Sequence, residues 1–265
     1  MKKRTPSRTM TAPSQATSPT SRRQRDERGT AMSILLLFAR HRSLSGAQIA
    51  GLLRLPTSTT YRHLQALLQA GFVVESQVMG RYSAGPEVVR LADNYRKEAL
   101  AQGLVTERLE SLAQETRELT AFLVQSGTEA LCVESVEGAH ILSCSYAAGR
   151  SRPLLHGASA RAILAHLPAE EVDEILASHV RNQEIVNIYP ELADIRRRGY
   201  STSSGALAYG VWGVSAPVLN EAGGLTGVVT TMVPLHRAGT DDARKGFIDS
   251  TRQAAVDLTN MAAAS

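Results

Sequence analysis

A chain of 265 residues that is 43% hydrophobic but only 5% aromatic has room for two modest domains, each with its own core. Its longest apolar run, around Ile34–Phe38, falls far short of the roughly 20 residues that span a bilayer. No apolar leader segment follows the basic N-terminus either, so a soluble, cytoplasmic protein with no membrane partner is expected.

The net charge of +4 conceals a segregation. Residues 1–86 carry 13 Lys and Arg against 3 Asp and Glu, and the remainder 16 against 22. Charge divided in this way suits a polyanion-binding front half on an acidic body. Cys132 and Cys144 show neither metal-ligand spacing nor a disulfide framework, and both fit reduced, buried small side chains. The seven histidines contain no helix-spaced metal pair, so no metal and no cofactor is expected.

Residues 1–27 mix Ser, Thr, Pro, Arg and Lys with almost nothing to bury. They are expected to be a disordered basic tail that adds nonspecific phosphate affinity. From Arg28, the residues Ala31, Ile34, Leu35 and Phe38 make one face of a first helix ending near His41. Leu44–Leu68 then predicts two short helices broken at Leu55-Pro56. Ile49, Ala50 and Leu53 line the first; Thr60, Leu64, Leu67 and Leu68 line the second, which turns Ser58, Arg62 and Gln65 to the other side. Pro56 is tolerated at a helix start, with Thr57 or Ser58 as its expected cap, and Gly71 is the stop signal.

A helix with short hydroxyls and a guanidinium near its N-terminal end suits the major groove of double-stranded DNA; an ordinary core hairpin is the competing reading. Phe72–Ser76 and Arg81–Ser83 flank a glycine-containing tip and predict a β-hairpin, which completes a winged helix-turn-helix over residues 28–86. Arg81 is placed to reach DNA backbone or minor groove, or else is a plain solvated charge.

Gly85-Pro86 closes that domain. Glu87–Ala101 reads as one helix within a linker (87–103), and Leu104–Glu118 as a second helix opening a domain over 104–265. Strand-like runs follow at Thr120–Gln125, Ala130–Val136 and Ile141–Tyr146. Helices are expected within His156–Leu167, at Ala169–Ser178 and at Glu191–Arg198, then strands at Val211–Leu219 and Leu225–Val233, and a closing helix from Asp241 to about Ala262. Strands and helices mixed outside a strict βαβα order predict an α+β fold with an antiparallel sheet.

Five segments, LSGAQIAGLLRLPTSTTYRHLQALLQAGFV, GRYSAGP, RPLLHGASARAILAHLP, IRRRGY and GVWGVSAPVLNEAGGLTGVVTTMVP, make residues 28–262 similar to the IclR family of bacterial transcriptional regulators. The resemblance implies a winged-helix DNA-binding domain, a linker helix and a GAF-like effector-binding domain. It also implies a dimer or tetramer in which a small molecule alters operator binding. The expected DNA contacts are base reading by Ser58, Thr59 and Arg62, and phosphate contacts by Thr57 and Tyr61.

In oxoacid-sensing members of the family the pocket holds an aspartate, a cysteine and two serines. Lined up on this chain, those positions fall near Ser203, on Gly213, and on Thr230 and Met232. A roomier, more apolar pocket follows, fitting an organic acid larger than glyoxylate, with aromatic acids the leading class. Trp212 walls it or belongs to the core. His156, Gly157, Ala158 and Ser159 precede a helix whose N–H groups suit a carboxylate; Arg152 adds positive charge, and His156 either adds to it or is a structural hydrogen-bonding side chain. The family's glycine in the helix-turn-helix turn is Arg54 here, so that turn must be built without glycine's freedom at φ > 0.

An enzyme is not expected. Gly213-Val214-Ser215-Ala216-Pro217 lacks the closing glycine of a nucleophile elbow, and no phosphate-binding loop occurs. A His156/Ser159 hydrolytic pair lacks an orienting acid. The remaining alternative is a DNA-binding oligomer that senses nothing.

Overall fold

The computed structural model describes residues 29–99, 103–139, 146–179, 188–206 and 208–262. The expected tail (1–27) and most of the strand expected at Ile141–Tyr146 lie outside them. The chain divides into two compact units between Ala92 and Asp93.

The N-terminal unit begins with a helix over residues 29–37 (α1). β1 (Leu44–Ser45), α2 (Gly46–Leu53), α3 (Thr57–Gln69), β2 (Val73–Glu75) and β3 (Arg81–Ala84) follow. Ile34, Phe38, Leu44, Ile49, Leu64, Leu67, Val73 and Tyr82 form its core, which is the set the 3.6-residue spacing selects plus the inward face of a hairpin.

Sequence periodicity did not anticipate β1. Two residues carry no alternation; what makes them a strand is pairing with β3, in the sheet order β1-β3-β2. Ser45 then caps α2 with a full capping box. Its Oγ accepts from Gln48 N–H, and its own N–H donates to Gln48 Oε1 at 2.9 Å. The turn into α3 is made by Arg54 itself, held at φ 54° with its N–H directed to Ala50 O and Gly51 O. Pro56 occupies the N-cap position of α3, which has no side-chain cap. The cap expected from Thr57 or Ser58 is therefore not formed, because Pro56 already sets the entry angle.

Helix α4 (Glu87–Ala99) leads toward the second unit, built from α5 (Leu104–Thr116), β4 (Leu119–Ser126), β5 (Glu129–Val136), β6 (Ser151–Pro153), α6 (Ala158–Leu164), α7 (Ala169–His179), α8 (Tyr189–Arg198), β7 (Ser201–Ser204), β8 (Val211–Leu219), β9 (Leu225–Pro234) and α9 (Asp241–Ala262). Among the described residues, six strands form one antiparallel sheet in the order β6-β5-β4-β9-β8-β7.

Both faces of this sheet are covered. Leu119, Ala121 and Leu123 of β4 point into a core with Ile163 and Leu164 of α6, Val172 and Ile175 of α7, and Leu192 and Ile195 of α8. Phe122, between them, points the other way into a core with Leu109 and Leu112 of α5 and Ala254 and Leu258 of α9. That is period-two alternation with an apolar layer on each side. It explains why β4 and β9 read as nearly unbroken hydrophobic runs although the sheet is antiparallel. Gly227 lets the layers close, since a Cβ there would lie 2.4 Å from Phe122 Cζ.

Candidate functional site

In α3, Thr60, His63, Leu64 and Leu67 are buried, while Thr57, Ser58, Tyr61, Arg62 and Gln65 are exposed and Thr59 is half-buried. The outward face is thus hydroxyls, one phenol and one guanidinium. Tyr61 is also a packing residue, for its ring lies over Gly46 so closely that a Cβ there would come within 2.7 Å of Cζ and Oη. Arg81 turns inward. Its Nε donates to Ser43 Oγ at 3.0 Å and its terminal N–H to Ser43 O at 2.6 Å, so it clamps β3 to the segment before β1 rather than extending toward solvent. Burial, then Tyr61 and Glu75, push the Tyr82 phenol above its ordinary pKa, which places all three around the base of the hairpin.

In the C-terminal unit, a small, nearly filled cavity of about 10 Å³ lies between α6 and the sheet, lined by Tyr146, Ala158, Ser159, Ser203, Val211, Gly213, Thr230 and Met232. The register explains the grouping. Ser203 pairs with Gly213, Gly213 with Met232, and Ser215 with Thr230, so three strands present one continuous row to α6.

The polar groups are already engaged with one another. Ser203 Oγ accepts from Ala158 N–H at 3.0 Å, at the first turn of α6. Tyr146 Oη and Ser159 Oγ are 2.7 Å apart, and Ser215 Oγ and Thr230 Oγ1 2.8 Å. The lining carries four hydroxyls and no charged side chain among the described residues.

The expected residues are thus not all brought together. Trp212 is on the opposite face of β8 from Gly213, because neighbours on a strand alternate. It packs with Val214, Val233 and Ala238, 6.4 Å from the Phe247 ring, so it belongs to the core and not to the cavity wall. His156 and Arg152 are exposed and supply no charge to the lining. Gly157, at φ 97°, is the N-cap of α6 and is likewise not among the lining residues. Ser159 is buried against Tyr146 while His156 is exposed, so the two do not form a hydrolytic pair.

The cavity is also narrower than the Gly213 and Met232 positions imply, since Tyr146 closes it. Residues 140–145 before Tyr146 are outside the described structure, and the strand reading had hidden Tyr146's role. Cys132 is buried, with its Sγ donating toward Tyr146 O; desolvation pushes its thiol pKa up to about 12, which makes it an inert core side chain. Cys144 lies outside the described residues.

A helix-turn-helix with a β-hairpin wing, followed by a six-stranded α+β domain enclosing a small cavity, defines a DNA-binding regulator with a separate C-terminal domain. Residues 30–76 match the IclR helix-turn-helix domain, and residues 101–260 match the family described as bacterial transcriptional regulator IclR C-terminal. The chain belongs to the IclR family of bacterial transcriptional regulators.

It is 28% identical over 222 residues to the transcriptional repressor IclR of Escherichia coli, covering 80% of each chain. Its fold matches the crystal structure of an IclR regulator from Silicibacter, with a TM-score of 0.82 and 22% identity over 89% of this chain and 96% of that one. An IclR homologue from Microbacterium hydrocarbonoxydans, complexed with 4-hydroxybenzoate, matches with a TM-score of 0.72 and 21% identity over 90% of this chain and all of that one. No described helix is long and apolar enough to cross a membrane.

Proposed function

We propose that this regulator binds operator DNA through α3 and that a small organic acid seated between α6 and strands β7–β9 controls that binding. The observation that carries the ligand reading is the convergence of four hydroxyls, from Tyr146, Ser159, Ser203 and Thr230, on one enclosed cavity. O–H groups can donate to a carboxylate, and Met232 supplies an adaptable apolar wall. The free space is about 10 Å³, far below the roughly 300–1,000 Å³ of sites for drug-sized ligands and room for about one water. The acid is therefore a compact one, with one ring or a short chain, and enters as the lining side chains move apart. The Microbacterium homologue carries 4-hydroxybenzoate, which supports that class.

On the DNA side, Ser58, Thr59 and Arg62 read bases and Thr57 and Tyr61 contact phosphate. Arg81 acts by holding the wing. Binding uses a dimer or tetramer, whose assembly is supported by the apolar side chains left exposed on α1 (Met32, Leu36) and α4 (Val89, Leu91, Tyr95). The acid, by preferring one arrangement of the C-terminal domain, moves α4 and changes the spacing of two recognition helices, which must match half-sites about 34–36 Å apart.

The second reading, an oligomer with no ligand response, is favoured by the pairing of the cavity's hydroxyls with one another. Thermal denaturation of the full chain against a panel of aromatic and short aliphatic acids separates the two. A rise in melting temperature for at least one acid, with altered retention of a duplex from the chain's own upstream region, is expected. No shift for any acid would leave the insensitive oligomer.

A further inference from the structure

The tip of the β2–β3 hairpin exposes two apolar side chains, Met79 at 98% and Val78 at 60%. Isolated exposed apolar residues are ordinary, but this pair combines a rigid base, a particular position and a particular charge environment. The base is over-determined. β3 is paired on both sides, Arg81 is bonded twice to Ser43, and the tip closes with Ser76 N–H to Arg81 O at 2.8 Å and Arg81 N–H to Val78 O at 3.2 Å.

The position follows from register. Phe72 N–H meets Leu67 O near the C-terminal end of α3, and β2 runs back from there. Ser45 pairs with Arg81, and the next residue, Gly46, lies under the Tyr61 ring. Arg81 is therefore level with Tyr61, and the tip beyond it continues toward the end of the unit that bears Thr57 and Ser58. The unit that carries the tip is cationic as a whole: residues 29–86 contain five arginines against one acid, Glu75. An apolar tip on a cationic unit fits a polyanion with an apolar interior, which describes the stacked bases of a duplex.

We propose that Met79, backed by Val78, is a wedge that enters the minor groove beside the site read by α3 and partly unstacks a base step there. Apolar side chains inserted in this way kink DNA toward the major groove. The inference rests on the DNA-binding reading above, and its contribution is distinct from the phosphate contacts because an apolar insertion releases no counterions.

Gel-shift titration of the full chain on a duplex from its own upstream region, with circularly permuted fragments to read bending, tests it. Met79→Ala is expected to bind about tenfold more weakly with a smaller bend. The slope of log affinity against log salt and the preference over random DNA should stay unchanged. Met79→Leu should restore most of both losses. Wild-type affinity and bending in Met79→Ala would overturn the wedge while leaving the DNA reading intact. A wild-type chain that fails to bind the duplex, with and without the acid panel, would overturn both. A changed sedimentation coefficient for Met79→Ala would assign the tip to a contact between copies and also overturn it.

Discussion

Tyr146 Oη and Ser159 Oγ stand 2.7 Å apart inside the C-terminal unit, so the residue just before the β6 turn is tied to the first turn of α6. Both hydroxyls are buried and bonded to each other. Tyr146→Phe or Ser159→Ala alone should cost about 1–2 kcal/mol, because each removes one side of this buried hydrogen bond. The double variant should cost less than the two singles together. Denaturant unfolding of the three variants measures this; strict additivity would mean the pair is not an energetic unit.

Gly213 is the open position of the cavity wall. Its missing Cβ would meet Ser203 Oγ at 3.7 Å, Ala158 Cβ at 3.9 Å and Thr231 O at 3.9 Å, all ordinary contacts. Gly213→Ala is therefore expected to fold with stability within about 1 kcal/mol of the parent. The larger Gly213→Val should fill the cavity and remove any acid-induced rise in melting temperature. A Gly213→Val protein that keeps the full shift would place the ligand elsewhere.

Arg54 and Arg117 hold left-handed backbone at φ 54° and 63° at the ends of α2 and α5. For a side chain with a Cβ that conformation costs on the order of 1 kcal/mol. Arg54→Gly and Arg117→Gly should each raise the unfolding free energy by roughly that amount. Destabilisation of either variant in a chemical melt would show that the guanidinium contributes more than the backbone costs.

Glu118 is 0% exposed, and its carboxylate faces Arg237 Nε at 3.1 Å. Desolvation outweighs the arginine and raises its pKa from 4.5 to about 7. For an acid raised on folding, the native state holds the proton longer than the unfolded chain does. The stability this group contributes is therefore complete below about pH 4.5 and is lost as pH rises toward 7. Glu118→Gln should flatten that part of the stability-pH profile by on the order of 2 kcal/mol. Arg237→Ala, which leaves the carboxylate without its counter-charge, should steepen the loss above pH 7. Parallel profiles for parent and Glu118→Gln would sink the assignment.

Much of this architecture could be read from residue order. Pro56, Gly71 and the spacing of Ile49, Leu64 and Leu67 mark two helices, because helical burial selects every third or fourth residue whatever the surroundings. β8 and β9 were equally legible as long apolar runs around Asn220–Gly224. The cavity row of Ser203, Gly213, Thr230 and Met232 came from resemblance rather than from pattern.

What local pattern could not supply was anything made by a distant partner. β1, β6 and β7 are two to four residues long and take their strand character from neighbours far along the chain. Arg81 reads from sequence equally as a DNA contact or a solvated charge; Ser43, 38 residues away, gives it an internal partner instead. Trp212 and Gly213 are adjacent in sequence, yet packing of α6 on one face and Phe247 on the other sends Gly213 to the cavity wall and Trp212 to a core. Residue order sets which side chains share a face; which face meets a helix, a cavity or water depends on contacts that exist only once the chain has folded on itself.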